Sequence, residues 1–393
     1  MVFSGGIFSQ LIMKLIKRIS LWCVLVGCMI SCLCSCNTEK TPEELFAESK
    51  SGVVLILNRY YYQMKLPNGK YLYFTGLDGD GDFDFTADRT EILKKAATLY
   101  GTGFFINDKG LIMTNRHVAQ PTVDKTAVKN QLNNLLNAVR TYYTVQMQSL
   151  QEQYSELEIE KSDCYSTDYY GNEIFDSNHY DQIETQEGEL RTSYQSLVEA
   201  RDRVLESNIT LDDLSITPVC EVGIAYDGTQ VSSNDDVLMR NPCRVTKVSQ
   251  QEDTDLALIQ LKSGTTPETA HIFGLGTIVN PTFSQRMSEA FGKKKDTTLR
   301  IDQELFMIGY NAGPALASTK QGVKVQMTSG KITQVPDGDR LLYSIPTVQG
   351  SSGSPVLDKD GRVVAVNYAK LAISDNFNFG IPLNKILAFV GKQ

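Results

Sequence analysis

The fold class this 393-residue sequence predicts is mainly β, interrupted by one long α-helical hairpin. Three observations carry that expectation. Apolar runs bounded by Gly, Asn, Asp and Ser recur toward both ends of the chain, at 53–57, 222–226, 256–261, 305–310 and 363–366. Between them, residues 125–160 place Val128, Leu132, Leu135, Val139 and Tyr142 at alternating four- and three-residue steps, the spacing of one helix face. A Gly/Ser cluster, Gln349-Gly350-Ser351-Ser352-Gly353-Ser354-Pro355, is too brief for a flexible spacer and sits between strand-like segments.

Composition bounds the rest. Apolar residues make up 41% and charged residues 21%, the balance of an ordinary globular chain. A net charge of −8 lacks the basic footprint of a nucleic-acid partner. Lys14, Lys17 and Arg18 precede an apolar stretch containing Cys23, Cys28, Cys32, Cys34 and Cys36, so residues 1–36 read as an export signal. Leu33-Cys34-Ser35-Cys36 resembles a bacterial lipobox, whose last cysteine is lipidated and becomes the mature terminus. Polar Asn37-Thr38-Glu39-Lys40 follows it and favours Cys36 over Cys28, which ends the similar Leu25-Val26-Gly27-Cys28. An uncleaved membrane anchor is the alternative. Either way the body is expected outside the cytoplasm, in a bacterial cell envelope, as a periplasmic or outer-membrane lipoprotein. The clustered cysteines have no histidine near them, so no metal and no cofactor is expected. Cys220 and Cys243 fall in neighbouring predicted strands and are candidates to pair in an oxidising compartment, which leaves Cys164 over.

In chain order, residues 37–50 form a tether and 53–57 a first strand. Tyr60-Tyr61-Tyr62 and Tyr71-Leu72-Tyr73-Phe74 bracket Pro67-Asn68-Gly69-Lys70, which predicts a β-hairpin. Asp78-Gly79-Asp80-Gly81-Asp82 superficially invites calcium, but Arg89 stands where an EF-hand loop needs its bidentate Glu, so an acidic turn is the better reading. The helical pattern shifts phase by one residue midway, through Tyr143, Met147, Leu150, Tyr154 and Leu157. After a polar break at 162–178 it resumes with Ile183, Leu190, Tyr194, Leu197 and Val204, predicting an antiparallel coiled-coil-like hairpin. Such an arm either packs on its own body or presents a surface for a homo-oligomer or protein partner. Residues 283–291 read as a short surface helix, 377–382 as the last strand and 383–390 as a closing helix.

The chemistry converges on Ser352. The glycines around it permit a sharp turn that presents its hydroxyl, and the Gly350 and Ser352 amides are placed to form an oxyanion hole. A serine needs a base, and of the chain's 3 histidines His117 has the right setting, at the end of a strand–turn–strand. The base needs an acid, and Asp255 opens an apolar strand, with Asp253 a competitor two residues earlier. His179 and His271 lack such a setting.

Four blocks, Gly101-Thr102-Gly103-Phe104, Thr114-Asn115-Arg116-His117-Val118, Thr254-Asp255-Leu256-Ala257 and Gly350-Ser351-Ser352-Gly353-Ser354-Pro355, together resemble the trypsin-like serine proteases, nearest to the bacterial HtrA/Deg and glutamyl-endopeptidase branch. The resemblance covers roughly 51–54, 98–119 and 216–393. It implies a two-barrel chymotrypsin-like fold, with an N-terminal barrel over 51–262 carrying the hairpin as an insertion at about 122–210, and a C-terminal barrel over 263–393. It implies a His117–Asp255–Ser352 triad cutting polypeptide substrates through an acyl-enzyme, and favours Asp255 because it directly precedes Leu256-Ala257. No PDZ-type module is expected after the closing helix. By the same resemblance Pro346 marks the floor of the first specificity pocket and Asn367, Tyr368 and Ala369 its far wall. That pocket lacks an acid for basic substrates and the wall histidine of the glutamyl branch, so a small or medium apolar side chain is expected. The competing reading is a catalytically silent scaffold that binds a partner through its helical arm.

Overall fold

The computed structural model describes residues 40–66, 69–77, 81–205, 214–251, 253–275, 298–370 and 378–391. The export signal with Cys36 and Cys28, most of the acidic turn's start, the helix expected over 283–291 and Phe377 lie outside the described residues. The first part comprises α1 (Pro42–Ser49), β1 (Val53–Lys65), β2 (Tyr71–Phe74), α2 (Arg89–Lys95), β3 (Ala97–Phe105), β4 (Leu111–Thr114) and α3 (Arg116–Ala119). The insertion follows as α4 (Lys125–Asp163), β5 (Tyr165–Thr167), β6 (Glu173–Phe175) and α5 (Ser177–Leu205). Then come β7 (Ser215–Tyr226), α6 (Asn234–Arg240), β8 (Pro242–Val248), β9 (Ala257–Leu261), β10 (Glu304–Gly309), α7 (Pro314–Ala317), β11 (Ser318–Thr319) and β12 (Gly322–Val323). The chain closes with β13 (Gln326–Lys331), β14 (Leu341–Tyr343), β15 (Pro355–Leu357), β16 (Val363–Lys370), β17 (Asn378–Pro382) and α8 (Leu383–Val390).

The described strands form two large sheets, and β5-β6 and β11-β12 pair as two small antiparallel ones. The first runs β2-β1-β3-β4-β9-β8-β7, and β7 pairs back with β1, so six strands close into a barrel with β2 added at its side. The second runs β13-β10-β15-β16-β17-β14, and a bridge from Ile332 to Tyr343 draws its two ends together. The protein is therefore mainly β, with two barrels and an inserted helical hairpin. The β-branched and aromatic strands alternate inward, and Leu55, Phe104 and Met113 of the first barrel join Ile308, Val363 and Ile381 of the second in one buried cluster. Closing helix α8 contributes Ile386 and Phe389 to the same cluster.

By compactness the chain divides into two units. One takes the chain up to Asn58, Leu99–Gln120 and everything from Glu221 onward, and so contains both barrels' facing strands. The other takes Arg59–Thr98 and Pro121–Cys220. In this second unit the predicted β-hairpin forms, with Tyr62 opposite Phe74 and Lys65 opposite Tyr71. Its core joins Tyr62, Met64, Phe74 and Phe83 to Val128 and Leu132 at the root of α4. Asp124 starts α4 by accepting the Thr126 and Ala127 amides. Beyond the root the expected seam is thin: Leu135 is 47% and Tyr142 60% exposed. The Lys161 ammonium lies 2.9 Å from buried Glu187. Cys164, Cys220 and Cys243 form no disulfide, so the Cys220–Cys243 pair is not made. Burial pushes the Cys243 thiol up to about 12, keeping it protonated inside the barrel wall. Among the described residues no helix is long and apolar enough to cross a membrane.

Candidate active site

His117 sits in α3, a single turn that begins where β4 runs out. Its ring and main chain are both engaged by one carboxylate. The His117 Nδ1 lies 2.5 Å from Asp255 Oδ2, and the His117 amide donates to Asp255 Oδ1 at 3.0 Å. Asp255 is itself fixed from behind, since its carbonyl accepts Asn115 Nδ2 at 2.8 Å and the Arg116 amide at 3.2 Å. The C-terminal carbonyls of α3 are held by buried Asn58, whose Nδ2 reaches Val118 O at 2.8 Å and Ala119 O at 3.0 Å. The ring cannot swing far under such restraint. Asp255 is 13% exposed and His117 39%, so the carboxylate is shielded while the imidazole edge faces out. The competitor Asp253 instead pairs with Lys385 at 2.7 Å, which with Thr254 holds its carboxyl below the usual range. His179 contacts Glu160 within the hairpin, and half-buried His271 packs edge-on against Phe273.

The Ser352 loop connects the second barrel's strands β14 and β15. Gly350 and Gly353 take φ of +98° and +88°, values that side-chain-bearing residues rarely adopt. Space demands glycine as well. A Cβ on Gly353 would lie 2.1 Å from Thr102 O, and one on Gly350 would lie 2.4 Å from Gly313 N. Gly353 thus docks the loop against the strand end that leads to His117, with Asn115 N only 3.2 Å from that same Cβ position. Across the same contact, the Thr102 amide donates to Ser352 O at 2.8 Å and Thr102 Oγ1 to Gly350 O at 2.8 Å. Ser352 itself is half-buried. Among the described residues, the Gly350 and Ser352 amides, the Ser352 hydroxyl and His117 Nε2 carry no hydrogen bond, so the hydroxyl and the imidazole are not joined to each other.

The residues assigned to a specificity pocket are placed as follows. Pro346 is exposed ahead of the loop, Tyr368 tilts against Phe379, and Ala369 lies in β16 opposite Phe379. Asn367 is 2% exposed, and its amide is spent inward: Nδ2 donates to Ser351 O at 3.0 Å and Oγ at 3.2 Å, while Oδ1 accepts the Tyr343 hydroxyl at 2.8 Å. Burial holds that phenol well above its ordinary pKa, so it remains a donor. Thr347 and Asn378 join this buried polar set through a 2.6 Å hydrogen bond, and Asn378 Nδ2 donates to Ile345 O at 2.7 Å. Sequence reasoning missed both, because a threonine and an asparagine 31 positions apart carry no spacing signal.

A family model for the trypsin-like peptidase domain matches residues 219–366. That stretch is similar to a trypsin-like peptidase domain. The match takes in Asp255 and Ser352; His117 lies ahead of it, separated by the hairpin insertion. The chain is also 28% identical over 89 residues to glutamyl endopeptidases of Staphylococcus epidermidis, across 23% of its own length and 28% of theirs. It therefore spans about 28% of the curated relatives it matches. Among solved structures it is similar to a serine endoprotease from Yersinia pestis (12% identity, TM-score 0.38, 88% of this chain and 64% of that one). It is also similar to a protease from M. tuberculosis in its active form (13% identity, TM-score 0.37, 91% and 89%). The trypsin-like domain and the two-barrel topology agree on a chymotrypsin-like fold.

Proposed function

We propose that this protein is a serine endopeptidase of the cell envelope, lipid-anchored at Cys36, that hydrolyses polypeptides through His117, Asp255 and Ser352. The observation that carries the reading is the double hold of Asp255 on His117, by Nδ1 and by the main-chain amide. A carboxylate on Nδ1 leaves Nε2 as the free base of the ring. Ser352 Oγ attacks the peptide carbonyl as Nε2 takes its proton, and the C=O pair moves onto oxygen. The Gly350 and Ser352 amides receive that oxyanion. Collapse expels the amine, protonated by the imidazolium, and water then cleaves the acyl-enzyme by the same route. The Ser352–His117 hydrogen bond belongs to the substrate-bound state, because catalytic hydrogen bonds tighten only as the site fills. The lipobox-like Leu33-Cys34-Ser35-Cys36 and the export-signal pattern before it support the anchor.

A fluorophosphonate probe tests the hydrolase. Wild type becomes covalently labelled, and Ser352→Ala and His117→Ala lose labelling and about 10⁴–10⁶-fold in turnover. A folded wild type that stays unlabelled would overturn the reading in favour of the silent scaffold. The anchor is tested by mass: Cys36→Ala removes the diacylglycerol adduct, whereas persistence of the adduct moves it to Cys28.

A further inference from the structure

We propose that Thr102 and Asn367 act as a two-sided clamp on the nucleophile loop, Thr102 being the positioning residue that holds it from the opposite barrel. The inference rests on the hydrolase reading above. Three successive carbonyls of the loop are each tied. Gly350 O accepts Thr102 Oγ1 at 2.8 Å, Ser351 O accepts Asn367 Nδ2 at 3.0 Å, and Ser352 O accepts the Thr102 amide at 2.8 Å. In a trans peptide the N–H points opposite its C=O. Ser351 O also accepts the Ser354 amide at 3.1 Å, and the two bonds together turn the Ser352 amide away from Asn367, toward the side on which it has no partner. Tying Gly350 O and Ser352 O fixes the peptides on either side of it.

The Thr102 hydroxyl is made directional by its surroundings. It is wholly buried on β3, and the Tyr310 amide donates to its oxygen at 3.0 Å. With that lone pair occupied, its single proton goes to Gly350 O. The residue it restrains is the one least able to restrain itself, since Gly350 has no side chain and takes φ of +98°. Thr102 is anchored in turn, its carbonyl accepting Thr114 Oγ1 at 2.7 Å, three residues before His117. The clamp thus couples the Ser352 amide to the segment that carries the base.

The test compares Thr102→Val, which keeps shape and loses the hydroxyl, with Thr102→Ser, which restores it. With a chromogenic peptide substrate, Thr102→Val lowers kcat by about 10–100-fold with KM unchanged, part of the 10²–10³ that loss of an oxyanion donor costs. Its affinity for a peptide aldehyde, which forms an oxyanion, falls in parallel, while affinity for the product carboxylic peptide does not. Thr102→Ser recovers both. A Thr102→Val enzyme with wild-type kcat and aldehyde affinity overturns the clamp, as does a parallel loss of product affinity. If Thr102→Val does not fold, Asn367→Gln is read in the same assays, because it keeps an amide but displaces it. Unchanged kcat there is likewise overturning. Failure of wild type itself to label with fluorophosphonate would instead remove the hydrolase reading and the clamp with it.

Discussion

At His117 the two ring nitrogens face unequal circumstances: Nδ1 is 2.5 Å from a shielded carboxylate, and Nε2 is unoccupied among the described residues. Replacing Asp255 with Asn keeps the shape but offers an amide where the ring needs an acceptor, which favours the wrong tautomer. Asp255→Asn is expected to lower kcat by roughly 10⁴-fold while leaving the thermal midpoint within a few degrees. A fall below tenfold would mean that the carboxylate only positions the backbone. A second residue-scale expectation concerns the thiols. With Cys243 free, buried and pushed up to about 12, the folded protein at pH 8 should leave it unalkylated by iodoacetamide. Unfolding then adds label at buried Cys164 and Cys243, as read by peptide mass; a Cys220–Cys243 disulfide in the purified protein would refute this. The candidate site could be picked out in the sequence wherever chemistry needs a rare residue in a strand-end block, as at His117 and Ser352. Asp255 over Asp253 was legible only through the block around it. Thr102 stood there only as part of a block and Asn367 as a pocket wall, because their hydrogen bonds to main-chain carbonyls leave no trace in side-chain spacing.

At the scale of elements, the hairpin was the most legible feature, because a four–three repeat sustained over dozens of residues has few other outcomes. Helix α4 runs Lys125–Asp163, as the pattern from 125 to 160 predicts. Its seam, however, is buried only at Val128, Leu132 and Met147. The spacing shows which face is apolar and cannot show where along the helix a neighbour covers it. At the root, Leu132 packs with Tyr62, Met64 and Phe74; farther out, the two helices meet through Gln151–Tyr194 and Tyr154–Arg191 contacts. This division predicts two deletions with opposite outcomes. Removing 154–191 and closing the gap with a short Gly-rich turn leaves the second unit's core intact, and the protein should stay folded and labelled. Removing 122–210 strips Val128 and Leu132 from that core, about 1.5–3 kcal/mol for each side chain, and should give an aggregating product by size-exclusion chromatography. Folded, labelled products from both deletions would show that the root is dispensable.

For the molecule as a whole, the distribution of cores decides how it comes apart. Leu55, Phe104 and Met113 of the first barrel share a cluster with Ile308, Val363 and Ile381 of the second, so neither barrel keeps a complete core without the other. The smaller cluster of Leu305, Met307, Tyr343 and Val356 lies wholly within the second barrel. Most helical signal, in contrast, comes from the 39 residues of α4 and 29 of α5, whose contacts belong to the other compact unit. On heating, fluorophosphonate labelling and the protection of buried Cys243 from alkylation should therefore disappear together in one transition, while ellipticity at 222 nm carries an additional component at a different temperature. Phe104→Ala removes about 3–5 kcal/mol from the shared cluster and should lower the first transition, whereas Leu132→Ala, at about 2–5 kcal/mol, should lower the helical component. Labelling lost well before the protection of Cys243 would place the nucleophile loop outside the cooperative body. If Phe104→Ala moved the two components equally, the chain would be one cooperative unit and the division into separate cores would fail.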